Sequence, residues 1–251
     1  MKITAIMGSP RKGNTLDAVR KIEAEILAVD PTVEVNYVFL KDTKLEPCRG
    51  CFACIGRGEE LCPHKDALSD VLNTMLDADG VIIASPSYVQ SVPALMKNFI
   101  DRAAYLCHRP VFFDKPCLVV VTSCGGGIKE TLTYLSKIMR SWGFASTLNL
   151  GIMMHPAMGY SPKTLANIRR TAQQFLATVR QGDKTVPGLL DLMQFRMMRF
   201  NAQMDQKHFP ADVLFYADKN DYYLPSRAGA LKSGAARVFE KLIVRIMDAT
   251  M

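Results

Sequence analysis

The sequence predicts a doubly wound α/β fold, in which a parallel sheet of five strands is covered by helices on both faces. Five short apolar runs alternate with segments of helical periodicity, and this order favours parallel strands joined by crossover helices. Most of the runs are continuously apolar, as expected for strands buried on both faces. The composition, 49% apolar and 22% charged residues in a chain of 251, is typical of globular proteins and excludes collagen-like and disordered classes.

The first two strands and the helix between them are predicted from simple patterns. Residues 2–7 form an apolar run that ends at a Gly-Ser-Pro turn, which predicts a buried first strand. Apolar residues then recur at helical spacing over 14–28, with Asn14 as the expected N-terminal cap. Apolar and polar residues alternate over 33–40, which predicts the second strand.

The rest of the sheet is predicted from the same patterns. The apolar runs at 80–84, 117–122 and 147–152 are the third, fourth and fifth strands. Helices are predicted over 66–77, 93–106, 128–140 and 163–180. In the helix 93–106 we expect Lys97, Asp101 and Arg102 to lie on a solvated face. Five strands in the first 180 residues fit the flavodoxin-like strand order 2-1-3-4-5.

The last part of the chain is predicted to be a helical addition to the sheet domain. We assign residues 1–186 to that domain, including a cysteine-containing loop at 45–64, and residues 187–251 to a C-terminal extension packed on it. The extension contains helices over 190–206 and 228–249, joined by an aromatic segment at 209–223. Four apolar residues are expected to form a buried stripe on its last helix: Leu231, Val238, Leu242 and Ile246.

Charge is distributed unevenly along the chain. The net charge is +7, and residues 161–251 carry 14 Lys and Arg against 8 Asp and Glu. Such an excess indicates either attraction for anionic partners or an ordinary basic surface. No run of five like charges and no nucleic-acid-binding motif occurs, so we expect no nucleic acid as a partner.

The sequence predicts neither a membrane span nor a secretion signal. The longest segment without charged residues, 141–162, contains His155, Pro156 and three glycines, which makes it a poor hydrocarbon span. The N-terminal apolar run is too short for a signal peptide. We therefore expect a cytoplasmic protein without a membrane partner.

The loop after the first strand has the properties of an anion site. Small residues allow the backbone to wrap an anion, and the helix N-terminus offers N–H groups and a favourable dipole. The loop lacks both the nucleoside-triphosphate motif and the dinucleotide motif Gly-x-Gly-x-x-Gly. Its candidate binding residues are Ser9, Arg11, Lys12, Gly13, Asn14 and Thr15.

Two more loops end strands at the same predicted edge of the sheet, where doubly wound folds bind ligands. One combines a proline-directed turn with an aromatic residue that can lie against a flat ring. The other is rich in glycine, which lets the backbone approach a ligand closely. The candidate residues are Ser85, Pro86, Ser87 and Tyr88 in the first loop and Thr122, Ser123, Cys124, Gly125 and Gly126 in the second.

Four of the seven cysteines form a compact run with the spacing C-x2-C-x2-C-x7-C-P: Cys48, Cys51, Cys54 and Cys62. Without a secretory signal such clustering indicates metal or redox chemistry. Three thiolates on one small turn suit a cubane cluster, and the glycines before Cys62 allow it to close the same cluster. Zinc, which usually takes two separated pairs, and no metal at all remain alternatives.

The segments at 8–15 (Gly-Ser-Pro-Arg-Lys-Gly-Asn-Thr) and 85–102 (Ser-Pro-Ser-Tyr…Lys-Asn-Phe-Ile-Asp-Arg) resemble the two signatures of the NADPH-dependent FMN reductase-like branch of the flavodoxin-like superfamily. The resemblance implies FMN, with its phosphate on residues 9–15 and its isoalloxazine ring against 85–88 and 122–126. It also implies NAD(P)H as a possible electron donor and a homodimer or higher homo-oligomer.

The cysteine run is similar to that of iron–sulfur flavoproteins within the same superfamily. That similarity implies a [4Fe–4S] cluster on the four cysteines of the run that exchanges electrons with FMN, and a redox protein as a further possible electron donor or acceptor. Cluster-free relatives also have cysteines in this loop. Two alternatives therefore stay open: a cluster-free NAD(P)H-dependent reductase of FMN, quinones or azo compounds, and a non-catalytic electron carrier.

Overall fold

The computed structural model describes residues 1–144, 146–154, 159–182, 186–224, 229 and 231–240. The chain divides into two compact units, one of Met1–Arg49 with His64–Lys184 and one of Gly50–Pro63 with Thr185–Met251. The predicted boundary at residue 186 differs from this division, because residues 50–63 of the cysteine run belong to the same unit as the C-terminal residues. Within the described residues, no helix is both long and apolar enough to cross a membrane.

The first unit contains a five-stranded parallel sheet, which confirms the predicted fold class. Its strands are β1 (Lys2–Met7), β2 (Glu34–Phe39), β3 (Gly80–Pro86), β4 (Cys117–Ser123) and β5 (Thr147–Met153). All pair in parallel, in the order β2-β1-β3-β4-β5. Every residue of β3 and β4 is buried, which explains their continuously apolar sequences.

Helices cover both faces of this sheet. The helices of the first unit are α1 (Asn14–Leu27), α3 (Leu68–Leu76), α4 (Ala94–Arg102), α5 (Ile128–Ser141) and α6 (Pro162–Gln181), while α2 (Ala53–Gly56) lies in the second unit. Residues of α1 and α6 pack with alternate strand residues such as Ile3 and Val120. Residues of α3, α4 and α5 pack with the intervening ones, such as Ile6 and Val119. The alternation of strand side chains between two faces therefore creates two cores.

The second unit contains α2, α7 (Leu189–Met204) and α8 (Pro210–Tyr216). Its small core consists of Phe195, Ala202 and Tyr216, with Tyr223 packed against it. The short helix α2 lies against the chain just before α8, since a Cβ added at Gly56 would lie 2.7 Å from the carbonyl oxygen of His208. The aromatic segment predicted to join two helices thus contains a helix, α8, which begins with proline at its first turn.

The stripe predicted on the last helix is wrong where the structure describes it. Residues 231–240 are helical, but Leu231 and Val238 are 92% and 68% exposed. The buried side instead carries Ala236, and Glu240 bonds the Arg196 side chain at 2.6 Å. An ionic contact therefore replaces the expected apolar one. Leu242 and Ile246 lie outside the described residues.

Candidate functional site

The carboxyl ends of β1, β3 and β4 surround a cavity of about 980 Å3. A cavity of this size can hold a cofactor-sized molecule. The sequence-predicted residues that line it are Ser9, Arg11, Lys12, Gly13, Asn14, Thr15, Pro86, Ser87, Tyr88, Thr122, Ser123, Cys124, Gly125 and Gly126. Ser85 does not line it, because its side chain is buried and its hydroxyl donates to the carbonyl of Pro86.

The loop after β1 is folded by its own side chains. The hydroxyl of Ser9 donates to the carbonyl of Arg11 at 2.7 Å and accepts from its N–H at 3.2 Å. The prediction that Asn14 caps α1 is wrong, since Gly13 is the cap residue and no side chain caps the helix. Asn14 is the first helical residue, and its amide faces the Cys124 sulfur at 3.7 Å. The first turn of α1 therefore has no side-chain acceptor for its N–H groups.

The loop after β3 contains a tight turn in an uncommon conformation. Tyr88 and Ser91 exchange two backbone hydrogen bonds, of 2.8 and 3.0 Å. The two residues between them, Val89 and Gln90, both have positive φ, +49° and +64°. Two-residue hairpin turns require this geometry, but normally use Asn and Gly. Val89 lines the cavity and is 99% exposed, so no packing of its side chain compensates for the positive φ. The turn therefore holds backbone strain at the cavity.

The loop after β4 is folded around the hydroxyl of Ser123. That hydroxyl accepts from the N–H groups of Gly125 and Gly126 at 3.2 and 3.0 Å and donates to the carbonyl of Gly126 at 2.6 Å. The N–H of Cys124 has no partner among the residues that the structure describes. It is therefore available to a ligand in the cavity, which Cys124 lines.

Four residues that line the cavity were not predicted: Val89, Gln90, Gly127 and Glu130. Gly127 ends the glycine triplet, has φ +77°, and a Cβ there would lie 2.5 Å from the Ser87 hydroxyl. Only glycine thus allows the second and third loops to approach so closely. Glu130 lies in the first turn of α5, three residues after Gly127, so the loop after β4 leads directly to it.

These features fit an FMN molecule. Arg11 and Lys12 line the cavity next to the uncapped start of α1, which suits a phosphate. The guanidinium of Arg11 approaches the Tyr88 hydroxyl at 3.4 Å, so the phosphate end and the aromatic residue belong to one cavity. A Cβ added at Gly13, Gly125 or Gly126 would meet no atom within 4 Å, which leaves room for a ligand against the backbone.

The cysteine run is exposed at the surface. In the run, Cys48 and Cys51 are exposed and Cys54 and Cys62 are half-buried. Cys48 belongs to the first unit, whereas the other three belong to the second. Phe52, beside Cys51, has φ +58° and is 70% exposed. Four thiols suit an iron–sulfur cluster by their chemistry. Among the described residues, no three His, Cys, Asp or Glu side chains are grouped to hold a metal ion.

The expected solvated face of α4 is wrong for one residue. The side chains of Lys97 and Asp101 are exposed to solvent, as predicted, and they form an ion pair with each other. Arg102, however, is only 3% exposed and binds both carboxylate oxygens of Asp66, at 2.6 and 3.0 Å. Burial alone would raise the pKa of Asp66, but hydrogen bonds from Arg102 and from the N–H of Glu46 outweigh it and hold that pKa below its ordinary value.

Comparison with known proteins identifies the family. The sequence profile described as NADPH-dependent FMN reductase matches residues 1–157, which contain β1 to β5 and the whole cavity. The chain belongs to this family. In this member of the NADPH-dependent FMN reductase family, residues 8–15 and 85–102, the two segments singled out in the sequence, contribute two of the three loops around the cavity.

Several relatives of this family member are named iron-sulfur flavoproteins. One from Archaeoglobus fulgidus is 34% identical over 146 residues, which cover 57% of this chain and 64% of that protein. One from Methanosarcina thermophila is 35% identical, over 50% of this chain and 64% of that protein. One from Clostridioides difficile is 28% identical, over 78% and 86%. The chain thus spans less than two thirds of the first two relatives.

Solved structures of low identity share the fold. An NADH:FMN oxidoreductase in its apo form has a TM-score of 0.53 and 21% identity, over 70% of this chain and 89% of that one. The azoreductase AzrA has a TM-score of 0.53 and 14% identity, over 72% and 100%. At these identities the likeness shows the fold alone.

The strained turn of this family member predicts an effect of substitution on stability. Asn adopts positive φ far more readily than Val, for which the cost is about 1–2 kcal/mol. We expect Val89→Asn to raise the free energy of unfolding of the FMN-free protein by about 1 kcal/mol in urea denaturation. Val111→Asn, at an exposed valine that does not have positive φ, should give no such gain. Equal stability of Val89→Asn and wild type would mean that the turn is unstrained.

The low pKa of Asp66 predicts a pH dependence of stability. A carboxyl whose pKa is lowered by folding stabilises the folded state above its unfolded pKa, about 3.9, and loses this contribution as the pH falls through the folded pKa. We expect Asp66→Asn to be less stable than wild type at pH 7, and the difference to shrink below about pH 4. Urea denaturation from pH 7 to 2.5 measures this. The exposed control Asp114→Asn should show a small difference throughout, and a constant deficit for Asp66→Asn would contradict the prediction.

Proposed function

We propose that this chain is an FMN-dependent oxidoreductase, possessing a [4Fe–4S] cluster on Cys48, Cys51, Cys54 and Cys62 that exchanges electrons with FMN. One observation carries the flavin part of the proposal. Three loops at one edge of the sheet enclose a single cavity with the uncapped start of α1 at its rim. The cluster part is supported by the spacing of the run and by the names of the relatives.

The residues around the cavity divide into a phosphate end and a ring end. The N–H groups in the first turn of α1 and the side chain of Arg11 hold the phosphate, while the Ser9 hydroxyl keeps the loop folded. Tyr88 flanks the ring, and the N–H of Cys124 is the donor to its polar edge. FMN, when bound, supplies transfer of a hydride or of single electrons.

NAD(P)H or a redox protein is the proposed electron donor or acceptor. The family description, NADPH-dependent FMN reductase, supports a nicotinamide dinucleotide as the donor. We further propose that two or more copies of the chain associate. Large apolar side chains of the second unit, Leu190, Leu214 and Leu231, are 75%, 78% and 92% exposed. Light scattering of the FMN-bound protein at micromolar concentration measures its mass, and a monomer would contradict association.

The visible spectrum and iron content of anaerobically purified protein test the proposed function. We expect flavin bands, a broad thiolate-to-iron shoulder and near-stoichiometric FMN with about four irons per chain, as a [4Fe–4S] cluster requires. FMN with under half an iron per chain would favour the cluster-free reductase instead. Oxidation of NAD(P)H without an added protein partner then separates a reductase from a non-catalytic carrier. Failure to bind FMN would overturn the proposal.

A further inference from the structure

The chain just before and at Cys48 is held by two side chains of α4. The side-chain oxygen of Asn98 accepts from the N–H of Cys48 at 2.9 Å. Its amide nitrogen donates to the carbonyls of Leu45 and Glu46, both at 3.2 Å. Asn98 thus satisfies three backbone groups within four residues, all in the first unit.

Arg102 completes this arrangement one helical turn later. Positions 98 and 102 lie on the same face of α4, as residues four apart do. The Arg102 guanidinium donates to the carbonyl of Glu46 at 2.8 Å, while the N–H of Glu46 donates to Asp66 at 2.9 Å. Since Arg102 also binds both oxygens of Asp66, the peptide groups of Glu46 are fixed on both sides.

Burial makes these contacts expensive to break. The side chains of Arg102 and Asp66 are 2% and 12% exposed. Separating the partners of a buried ion pair leaves an uncompensated charge in the interior. This costs free energy, so we expect the Arg102–Asp66 pair to remain formed. The exposed residue Cys48 is therefore attached to a rigid and buried anchor.

We infer that Asn98 and Arg102, with Asp66, are positioning residues for the cysteine run: they fix the backbone at Cys48 and thereby set the stability and potential of the cluster. This inference rests on the proposed function. It deepens that function, because α4 begins directly after the loop that lines the cavity and therefore carries both the flavin loop and the anchor of the run.

The chemistry of iron–sulfur sites gives this anchoring a measurable consequence. Cluster potentials depend on hydrogen bonds to the sulfurs and on solvent exposure. In this chain the N–H of Cys48 is committed to Asn98, so it is withheld from sulfur. Loss of the Asn98 side chain would release that N–H and loosen the peptide around a ligand. Both changes alter the cluster without touching a thiol.

Asn98→Leu, of similar size but without hydrogen-bonding groups, is the main test variant. We expect a chelator to remove iron from it roughly 10-fold faster than from wild type, the lower end of the roughly 10- to 100-fold loss of metal affinity that follows loss of such supporting residues. Its midpoint potential should move outside the scatter of repeated titrations, with FMN per chain unchanged. Asn98→Asp keeps an acceptor for the N–H of Cys48 but loses the donor to the carbonyls of Leu45 and Glu46, so it should restore only part of the iron retention.

Arg102→Met provides an independent variant, and Arg180→Met, which breaks a more exposed Arg–Asp pair with Asp30 in the same unit, is its control. Only Arg102→Met should accelerate iron loss and raise hydrogen exchange in residues 45–48. If Arg102→Met fails to fold, the Asn98 variants still test whether these side chains position the cysteine run.

The outcomes separate this inference from the proposed function. A wild type with iron, together with Asn98→Leu of unchanged potential and iron retention, would overturn the inference alone. A wild type that binds FMN but no iron would overturn the cluster and with it the positioning role. Faster iron loss and a displaced potential at constant FMN would support both.

Discussion

Replacing Cys51 with alanine is expected to reduce bound iron to near zero while FMN stays bound. Cys51 is exposed and stands in the middle of the C-x2-C-x2-C run, where a cluster needs its thiolate. The proposed phosphate loop is independent of this run, so flavin should be retained. Iron and FMN per chain, measured after anaerobic purification, test both parts of this expectation.

Cys107→Ala is the matched control. Cys107 is half-buried outside the run, with its sulfur 3.3 Å from the Ser141 hydroxyl. Its replacement should leave the iron content unchanged. Equal iron in Cys51→Ala and wild type would show that Cys51 is not a ligand, whereas loss of FMN together with iron would show that the run and the flavin cavity are not independent.

Replacing Ser9 and Arg11 together with alanine is expected to weaken FMN binding by about 2–4 kcal/mol, or roughly 30- to 700-fold in the dissociation constant. Hydrogen bonds to a charged group contribute roughly 1.5–3 kcal/mol each. The Ser9 hydroxyl also bonds the backbone of Arg11, so the two single changes should not add independently. Fluorescence titration of the FMN-free variant with FMN measures the change.

The control for this pair is Ser136→Ala with Arg169→Ala. Both residues belong to the first unit, and neither lines the cavity. Ser136 bonds the side chain of Asn149, and Arg169 forms a surface pair with Glu25. The control should bind FMN like wild type. Unchanged affinity in the Ser9 and Arg11 double variant would place the phosphate elsewhere.

Much of the sheet domain was predictable because its signals are local. The apolar runs of β3 and β4 have that composition because both of their faces are buried, so the pattern is present in the sequence itself. The two loops that resemble the family signatures were also recognisable from their own short sequences, and their residues line one cavity. The helix expected over 93–106 ends earlier, with α4 stopping at Arg102 and a 3-10 turn following over Ala104–Cys107.

Other features depend on neighbours that are distant in sequence. The loops after β3 and β4 meet where Gly127 lies against Ser87 and Gln90, about 40 residues away in the chain. The Asn14 side chain could have capped α1, but the helix begins at that residue and Gly13 takes the cap position. In the second unit, Glu240 forms ion pairs with Arg196 and Arg199, and such contacts leave no periodic signal that apolar spacing can reveal.

The sequence by itself determined the five-stranded α/β fold and three candidate loops. Strands buried on both faces have continuous apolar runs, and turns have characteristic residues, so both are visible in short segments of sequence. Only the tertiary structure decided the surroundings of Arg102. Its position on the helix predicted that its charge would be exposed to solvent. The side chain is instead buried against Asp66, which lies 36 residues away in the chain. Tertiary packing likewise placed residues 50–63 with the C-terminal unit. Such pairings between distant segments satisfy buried charges and backbone groups whose partners no local pattern specifies.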